Sequence, residues 1–123
     1  MIAVFMETRD GKIKKSSLEA LSEAKRLAGG LGTEAAAVLA GAAVADLAPG
    51  AFALGAARVY ALESPGLADY SSQAYALALA GFAADVKPAV LFFAATAMGR
   101  DLAPRVAARL GAGLASDCTQ VAV

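Results

Sequence analysis

Histidine and tryptophan are both absent from this chain of 123 residues, and cysteine occurs once. Without histidine there is no imidazole general base, no Ser-His or Cys-His pair, and no imidazole ligand for zinc. With Cys118 alone, neither an internal disulfide nor a cysteine metal cluster can form. These gaps disfavour a hydrolase or a metalloenzyme. Excess charge of either sign is missing too, since eleven basic residues balance eleven acidic ones. A nucleic-acid groove needs clustered Lys and Arg, so no nucleic acid is expected as a partner. No apolar run reaches the roughly 18–20 residues of a membrane span. No basic leader or cleavage signal precedes the first strand-like run. The expectation is a cytoplasmic protein that does not span a membrane.

The chain is rich in alanine, which supplies more than a quarter of it and inflates the apolar fraction of 59%. Alanine favours helices and close packing of helix on sheet, and it carries no chemistry. The length suits one domain, residues 1–123.

Met1–Glu7 is an apolar run that reads as a buried strand, followed by a turn at Asp10-Gly11. Ser16-Ser17-Leu18-Glu19 predicts a capping box, with Ser16 accepting at the helix start and Glu19 reaching back. Leu18, Leu21, Ala24, Ala28 and Leu31 form the apolar stripe of the helix, and Gly29-Gly30 is read as its stop. A second strand covers Glu34–Ala40. An Ala-rich connection follows, with short helices near 44–47 and 51–54 divided by Pro49-Gly50. A third strand covers Ala57–Leu62. Ser71 or Ser72 caps the next helix, whose stripe is Tyr75, Leu79, Phe82 and Val86. Pro88 stops it. Val90–Ala95 shows no alternation, which predicts a strand buried on both faces, as in a parallel sheet. A fourth helix is expected from about Asp101 to Leu110, so that Pro104 falls in its first turn. Leu114–Val123 reads as a fifth strand. Alternating strands and helices predict an α/β fold with helices on both faces of a mainly parallel sheet. The run is still apolar at Val123, which leaves either an edge strand or, as we expect, a longer protein.

The glycines of 29–32 follow a helix and precede a strand, the reverse of a dinucleotide loop, and no Gly-Lys-Ser or Gly-Lys-Thr occurs. Arg9, Asp10, Lys12, Lys14 and Lys15 read as a solvated turn, and Cys118 as a small buried apolar residue. Thr96–Arg105 is the stretch at which a doubly wound sheet would dock a ligand or partner. Two readings stand there. The backbone amides near Gly99 and Arg100 could hold an anion. Alternatively Asp101 caps the helix, Gly99 makes a tight turn, and Arg100 and Arg105 form surface or interface salt bridges. Residue types favour the second.

Two blocks carry a resemblance. One is Glu7-Thr-Arg-Asp-Gly-Lys-Ile-Lys-Lys-Ser-Ser-Leu-Glu-Ala-Leu-Ser-Glu-Ala-Lys-Arg-Leu-Ala28. The other is Ala95-Thr-Ala-Met-Gly-Arg-Asp-Leu-Ala-Pro-Arg-Val-Ala-Ala-Arg-Leu110 with Ser116-Asp-Cys-Thr119. Together they resemble the N-terminal domain of the alpha (large) subunit of electron transfer flavoproteins. The resemblance implies a three-layer α/β/α domain of the adenine-nucleotide alpha-hydrolase-like type. It also implies a heterodimer with a beta subunit that carries AMP. FAD would be bound by a C-terminal domain absent from residues 1–123, so no cofactor, metal or catalytic residue is expected here. The intact protein would be an electron carrier rather than an enzyme. It would accept electrons from dehydrogenases such as the acyl-CoA dehydrogenases of fatty acid oxidation and pass them to a quinone oxidoreductase. Thr96, Gly99, Arg100, Asp101 and Arg105 would then be a structural and interface signature. The alternative is a universal-stress-type module that binds an adenine nucleotide. Its phosphate loop would want more glycines than Gly99, and a Ser or Thr after Gly111 in place of Ala112.

Overall fold

A computed structural model describes residues 1–111 and, as backbone, 113–115 and 120–122. The central sheet begins with β1 (Ile2–Met6), all five residues of which are buried. A hairpin of β2 (Thr8–Arg9) and β3 (Lys12–Ile13) follows, closed by Asp10 and Gly11 at φ 52° and 73°. Two adjacent positive φ values define the two-residue turn that Asp-Gly favours. Then come α1 (Lys15–Leu31), β4 (Ala35–Gly41), a 3₁₀ turn at Ala45–Leu47, α2 (Ala48–Ala53) and β5 (Arg58–Glu63). A second 3₁₀ turn at Pro65–Leu67 leads to α3 (Ser72–Val86), β6 (Val90–Phe92) and α4 (Ala97–Leu110). The last strands are β7 (Gly113–Ala115) and β8 (Gln120–Ala122).

The strand order is β5-β4-β1-β6-β8-β7. The first four are parallel, and β8 and β7 add antiparallel pairs. Side chains alternate across β1. Ile2, Val4 and Met6 pack under α1 and α2 with Leu21, Ala24, Ala28 and Ala51. Ala3 and Phe5 pack under α3 and α4 with Tyr75, Leu79, Leu102 and Val106. The three layers are therefore real, and alanines at Ala35, Ala36 and Ala37 let the helices approach the sheet closely. Successive connections run outward from β1 to β4 to β5 and then return across the sheet to β6. The point of reversal lies between β1 and β6.

Several sequence expectations need correction. The helix α1 passes through Gly29 and Gly30 and ends at Leu31, because the left-handed residue that closes it is Gly32 at φ 68°. Leu31 lies beyond the buried stripe and is 70% exposed. The capping box does not form: Lys14 is the N-cap without a side-chain bond, and Ser16 Oγ is buried with no partner. Pro49 does not divide two helices but sits in the first turn of α2, where its missing N–H is harmless. The single strand expected over Leu114–Val123 is two, β7 and β8, separated by the polar Ser116–Thr119. That segment, with Cys118, lies outside the described residues. The strand expected over Val90–Ala95 stops pairing at Phe92, although Phe93 and Ala94 stay buried.

Helix α4 starts a full turn earlier than expected, at Ala97, so Pro104 lies in its interior. Pro104 is exposed, as is Arg100, whose carbonyl loses its N–H donor there. The helix is anchored instead by its cap. Thr96 Oγ1 accepts the Gly99 N–H at 3.0 Å, which offsets one orphan donor of the first turn.

Candidate functional site at the strand ends

The reversal between β1 and β6 is where a doubly wound sheet opens a crevice at the carboxyl ends of its strands. Here Glu7 leaves β1 and Thr96 follows β6. The Glu7 side chain is fully buried. One carboxylate oxygen accepts from Lys14 Nζ at 3.3 Å, and the other accepts from the Thr96 hydroxyl at 2.6 Å. The Glu7 backbone N–H donates to Ser17 Oγ at 2.8 Å, and its carbonyl accepts the Lys14 N–H. One residue thus ties together the end of β1, the hairpin, the start of α1 and the cap of α4. A buried carboxylate is tolerated only with such partners.

Thr96 is shared between two tasks. Its hydroxyl donates to Glu7 and accepts from Gly99. The close approach of α4 to the strand end requires Gly99 to lack a side chain, since a Cβ there would lie 1.9 Å from the Ala94 carbonyl oxygen. Gly99 therefore serves a close contact inside the helix rather than a tight turn. The anion reading of this segment also fails, because the Gly99 N–H is held by Thr96 Oγ1 and the Arg100 N–H by the Thr96 carbonyl.

Asp101 does not cap α4. It lies one turn inside and joins α4 to the entry of α3. It accepts from Ser72 Oγ at 2.6 Å, from the Tyr70 hydroxyl, and from Arg105 Nε at 3.0 Å. Arg105 thus pairs within its own helix, while Arg100 is exposed and makes no ion pair among the described residues. Ser71, not Ser72, caps α3 by accepting from the Ala74 N–H. The bonds from Ser72, Tyr70 and Arg105 lower the Asp101 carboxyl to a pKa of about 2. Burial, with the Asp101 bond second, raises the Tyr70 hydroxyl. A depressed carboxylate stabilises the fold above its unfolded pKa, and that contribution is lost as pH falls through the folded value. A carbon-detected NMR titration should place the Asp101 midpoint near 2. Ser72→Ala should move it up toward the ordinary aspartate range.

Beside these groups, a cleft of about 380 Å³ opens over the ends of β1 and β4, bordered by Arg9, Gly41, Tyr70, Tyr75 and Met98. Tyr75 donates to the Leu67 carbonyl at 2.8 Å and meets Tyr70 edge-on at 5.2 Å. On its far side Glu63, at the end of β5, accepts the Val44 and Ala45 N–H groups at 2.8 and 3.2 Å. Among the described residues, no group of three or more Asp, Glu or Cys could hold a metal ion. No described helix is long and apolar enough to cross a membrane.

Thr96, Gly99, Asp101 and Arg105 thus lie together at one end of the sheet, but they are organised by Glu7, which sequence reasoning did not single out, and by Tyr70, to which it assigned no chemistry beyond packing over a strand end. A signal for Glu7 was present: it is a charge directly abutting the fully apolar run of β1 where that run exits at a strand end. Ser17, too, stands in phase with Leu21, Ala24 and Ala28, which marks it as the inward serine.

A family model described as "Electron transfer flavoprotein domain" matches residues 2–123. The electron transfer flavoprotein subunit alpha of Thermoanaerobacterium thermosaccharolyticum is 42% identical, covering 96% of this chain and 36% of that protein. Protein FixB of Rhizobium meliloti is 40% identical over 98% of this chain and 35% of its own length. The acryloyl-CoA reductase electron transfer subunit beta of Anaerotignum propionicum is 39% identical over 98% of the chain and 33% of its own. The chain therefore spans about a third of the length of these relatives. With the family model matching nearly every residue on a three-layer α/β/α frame, the chain belongs to the electron transfer flavoprotein domain family.

Proposed function

We propose that residues 1–123 are the N-terminal scaffold domain of an electron transfer flavoprotein alpha subunit. In this reading the domain pairs with a beta subunit, which holds AMP, and supports a flavin domain outside this chain. The intact heterodimer accepts electrons on FAD from dehydrogenases of the acyl-CoA class and passes them to a quinone oxidoreductase. The observation that carries the reading is the match of residues 2–123 to the family, with alpha-subunit relatives about 42% identical. The name of the Anaerotignum relative, an electron transfer subunit for acryloyl-CoA reductase, supports an acyl-CoA-type partner.

The fit of a flavin dinucleotide to these residues is poor. A pyrophosphate needs free amides or cations at the strand ends. The crevice between β1 and β6 presents the buried carboxylate of Glu7 instead. We therefore assign FAD to residues beyond this chain and derive no step through it. The domain's contribution is geometric: a rigid, alanine-tight platform that orients what docks on it.

Arg100 is the exposed cation of the Thr96–Arg105 segment that makes no ion pair among the described residues, which leaves it able to meet a carboxylate across an interface. Arg100→Glu is expected to weaken association with the beta subunit at least about tenfold, as a like-charge contact does, without changing the melting temperature of the isolated chain. Pull-down of the beta subunit by both forms checks this, and equal recovery would remove Arg100 from the interface. Flavin absorbance in stoichiometric amount on the purified chain would contradict the scaffold reading itself.

A further inference from the structure

We propose that Glu7 is a built-in occupant of the strand-end ligand site, so that this domain fills with its own carboxylate the position where its fold would take an anion. Three observations converge. The position lies at the reversal of strand order between β1 and β6, where the fold opens its crevice. The surroundings are those of an anion site. Lys14 supplies an ammonium at 3.3 Å and Thr96 a hydroxyl at 2.6 Å, and the first turn of the fourteen-residue α4 begins directly after Thr96. The occupant is already present, with a side chain that is fully excluded from solvent.

The far flank repeats the arrangement. The amides of Val44 and Ala45, at the start of the turn after β4, are the groups that would hold a second anionic oxygen. They are taken by the Glu63 carboxylate. Glu7 ends β1 and Glu63 ends β5, so two chain carboxylates neutralise donors along one rim of the sheet. A nucleotide phosphate approaching this rim would meet negative charge, with the Thr96 hydroxyl and the Val44 and Ala45 amides already taken.

The contact at Gly99 holds the partner of that carboxylate in place. Helix α4 is pressed so close to Ala94 that not even a Cβ fits, which keeps the Thr96 cap, and with it the hydroxyl bonded to Glu7, at the end of the sheet. Glu7 is therefore a positioning residue for α4 through Thr96, and a plug for the site at the same time. This goes beyond the scaffold reading and does not depend on which subunit holds the flavin.

The test is chemical rescue. Glu7→Ala empties the site while leaving Lys14 and Thr96 in place. Its melting temperature is expected to fall by about 5–10 °C, moderated because Lys14 is partly exposed and can rehydrate. Sodium formate should then restore at least half of the loss, while sodium chloride at equal ionic strength should not. If the variant is unfolded, the same salts are compared by the fraction that regains helical circular dichroism. Glu7→Gln keeps the volume filled and should show no preference for formate. Equal effects of formate and chloride on Glu7→Ala, or equal formate responses of the two variants, would overturn the proposal. So would micromolar calorimetric binding of AMP or inorganic phosphate to the unmutated chain.

Discussion

Gly99→Ala is expected to destabilise the domain by about 3 kcal/mol or more, at the upper end of what overpacking costs. The reason is that the methyl group meets backbone rather than a side chain that could turn away. Its Cβ would sit 1.9 Å from the Ala94 carbonyl oxygen and 3.4 Å from Thr96 Oγ1. Relief requires α4 to lift from the end of β6, and lifting it draws Thr96 from Glu7. The effect should therefore exceed the direct clash and appear as a fall of roughly 10 °C or more in melting temperature. Gly30→Ala provides the contrast, because nothing lies within 4 Å of a Cβ there and the residue is inside α1. That change should stabilise by about 0.5–1 kcal/mol. Thermal unfolding followed by circular dichroism separates the two. Similar melting temperatures for both variants would refute the tight α4 contact.

Phe5→Ala is expected to cost about 3–5 kcal/mol, the range for emptying a large buried aromatic site. Phe5 is 1% exposed and lies on the α3–α4 face of β1. Its ring meets Tyr75 edge-on at 6.3 Å and Phe93 at 5.9 Å, and such pairs add to the area they bury. The substitution also loosens Tyr75, whose hydroxyl holds the Leu67 carbonyl and with it the loop over the strand ends. Urea unfolding should show a lower midpoint with little change in slope, since the same surface is exposed on unfolding. A loss below about 1 kcal/mol would mean that the aromatic cluster collapses around the gap and does not anchor the sheet.

The layers of this domain were legible because periodicity survives the abundance of alanine. Uninterrupted apolar runs marked β1 as a buried strand and Val90–Ala95 as one buried on both faces, which holds for Leu91 to Ala94, and Tyr75, Leu79 and Phe82 marked the inward stripe of α3. The helix ends were less legible. Gly29-Gly30 looks like a stop, but helix termination depends on which residue takes the left-handed conformation, and that is Gly32. Pro104 looks like a first-turn residue, yet an exposed proline can sit inside α4 once the helix is fixed by Thr96 and by packing of Leu102, Ala103 and Val106.

The site divided along the same line. Thr96, Gly99, Asp101 and Arg105 could be picked out because polar residues and a glycine cluster after an apolar strand. The tasks of Thr96 and Asp101 could not be read from that cluster, because each is set by a residue far along the chain. Thr96 is bound to Glu7, 89 positions away, and Asp101 to Tyr70 and Ser72, 31 and 29 away. Capping by Asp101 was a sound local reading that lost to a tertiary bond. The closing role of Gly99 is likewise a matter of where Ala94 lies, which no spacing rule reports.

The proposal that this chain is the subunit-pairing scaffold of a flavoprotein is tested most directly by assembly. This chain is co-expressed with an electron transfer flavoprotein beta subunit from the same organism, and the purified material is run on a size-exclusion column with absorbance recorded at protein and flavin wavelengths. We expect a single peak containing both chains in equal amounts, with no flavin band from this chain run alone. Separate elution of the two chains, or a flavin band travelling with this chain by itself, would contradict it.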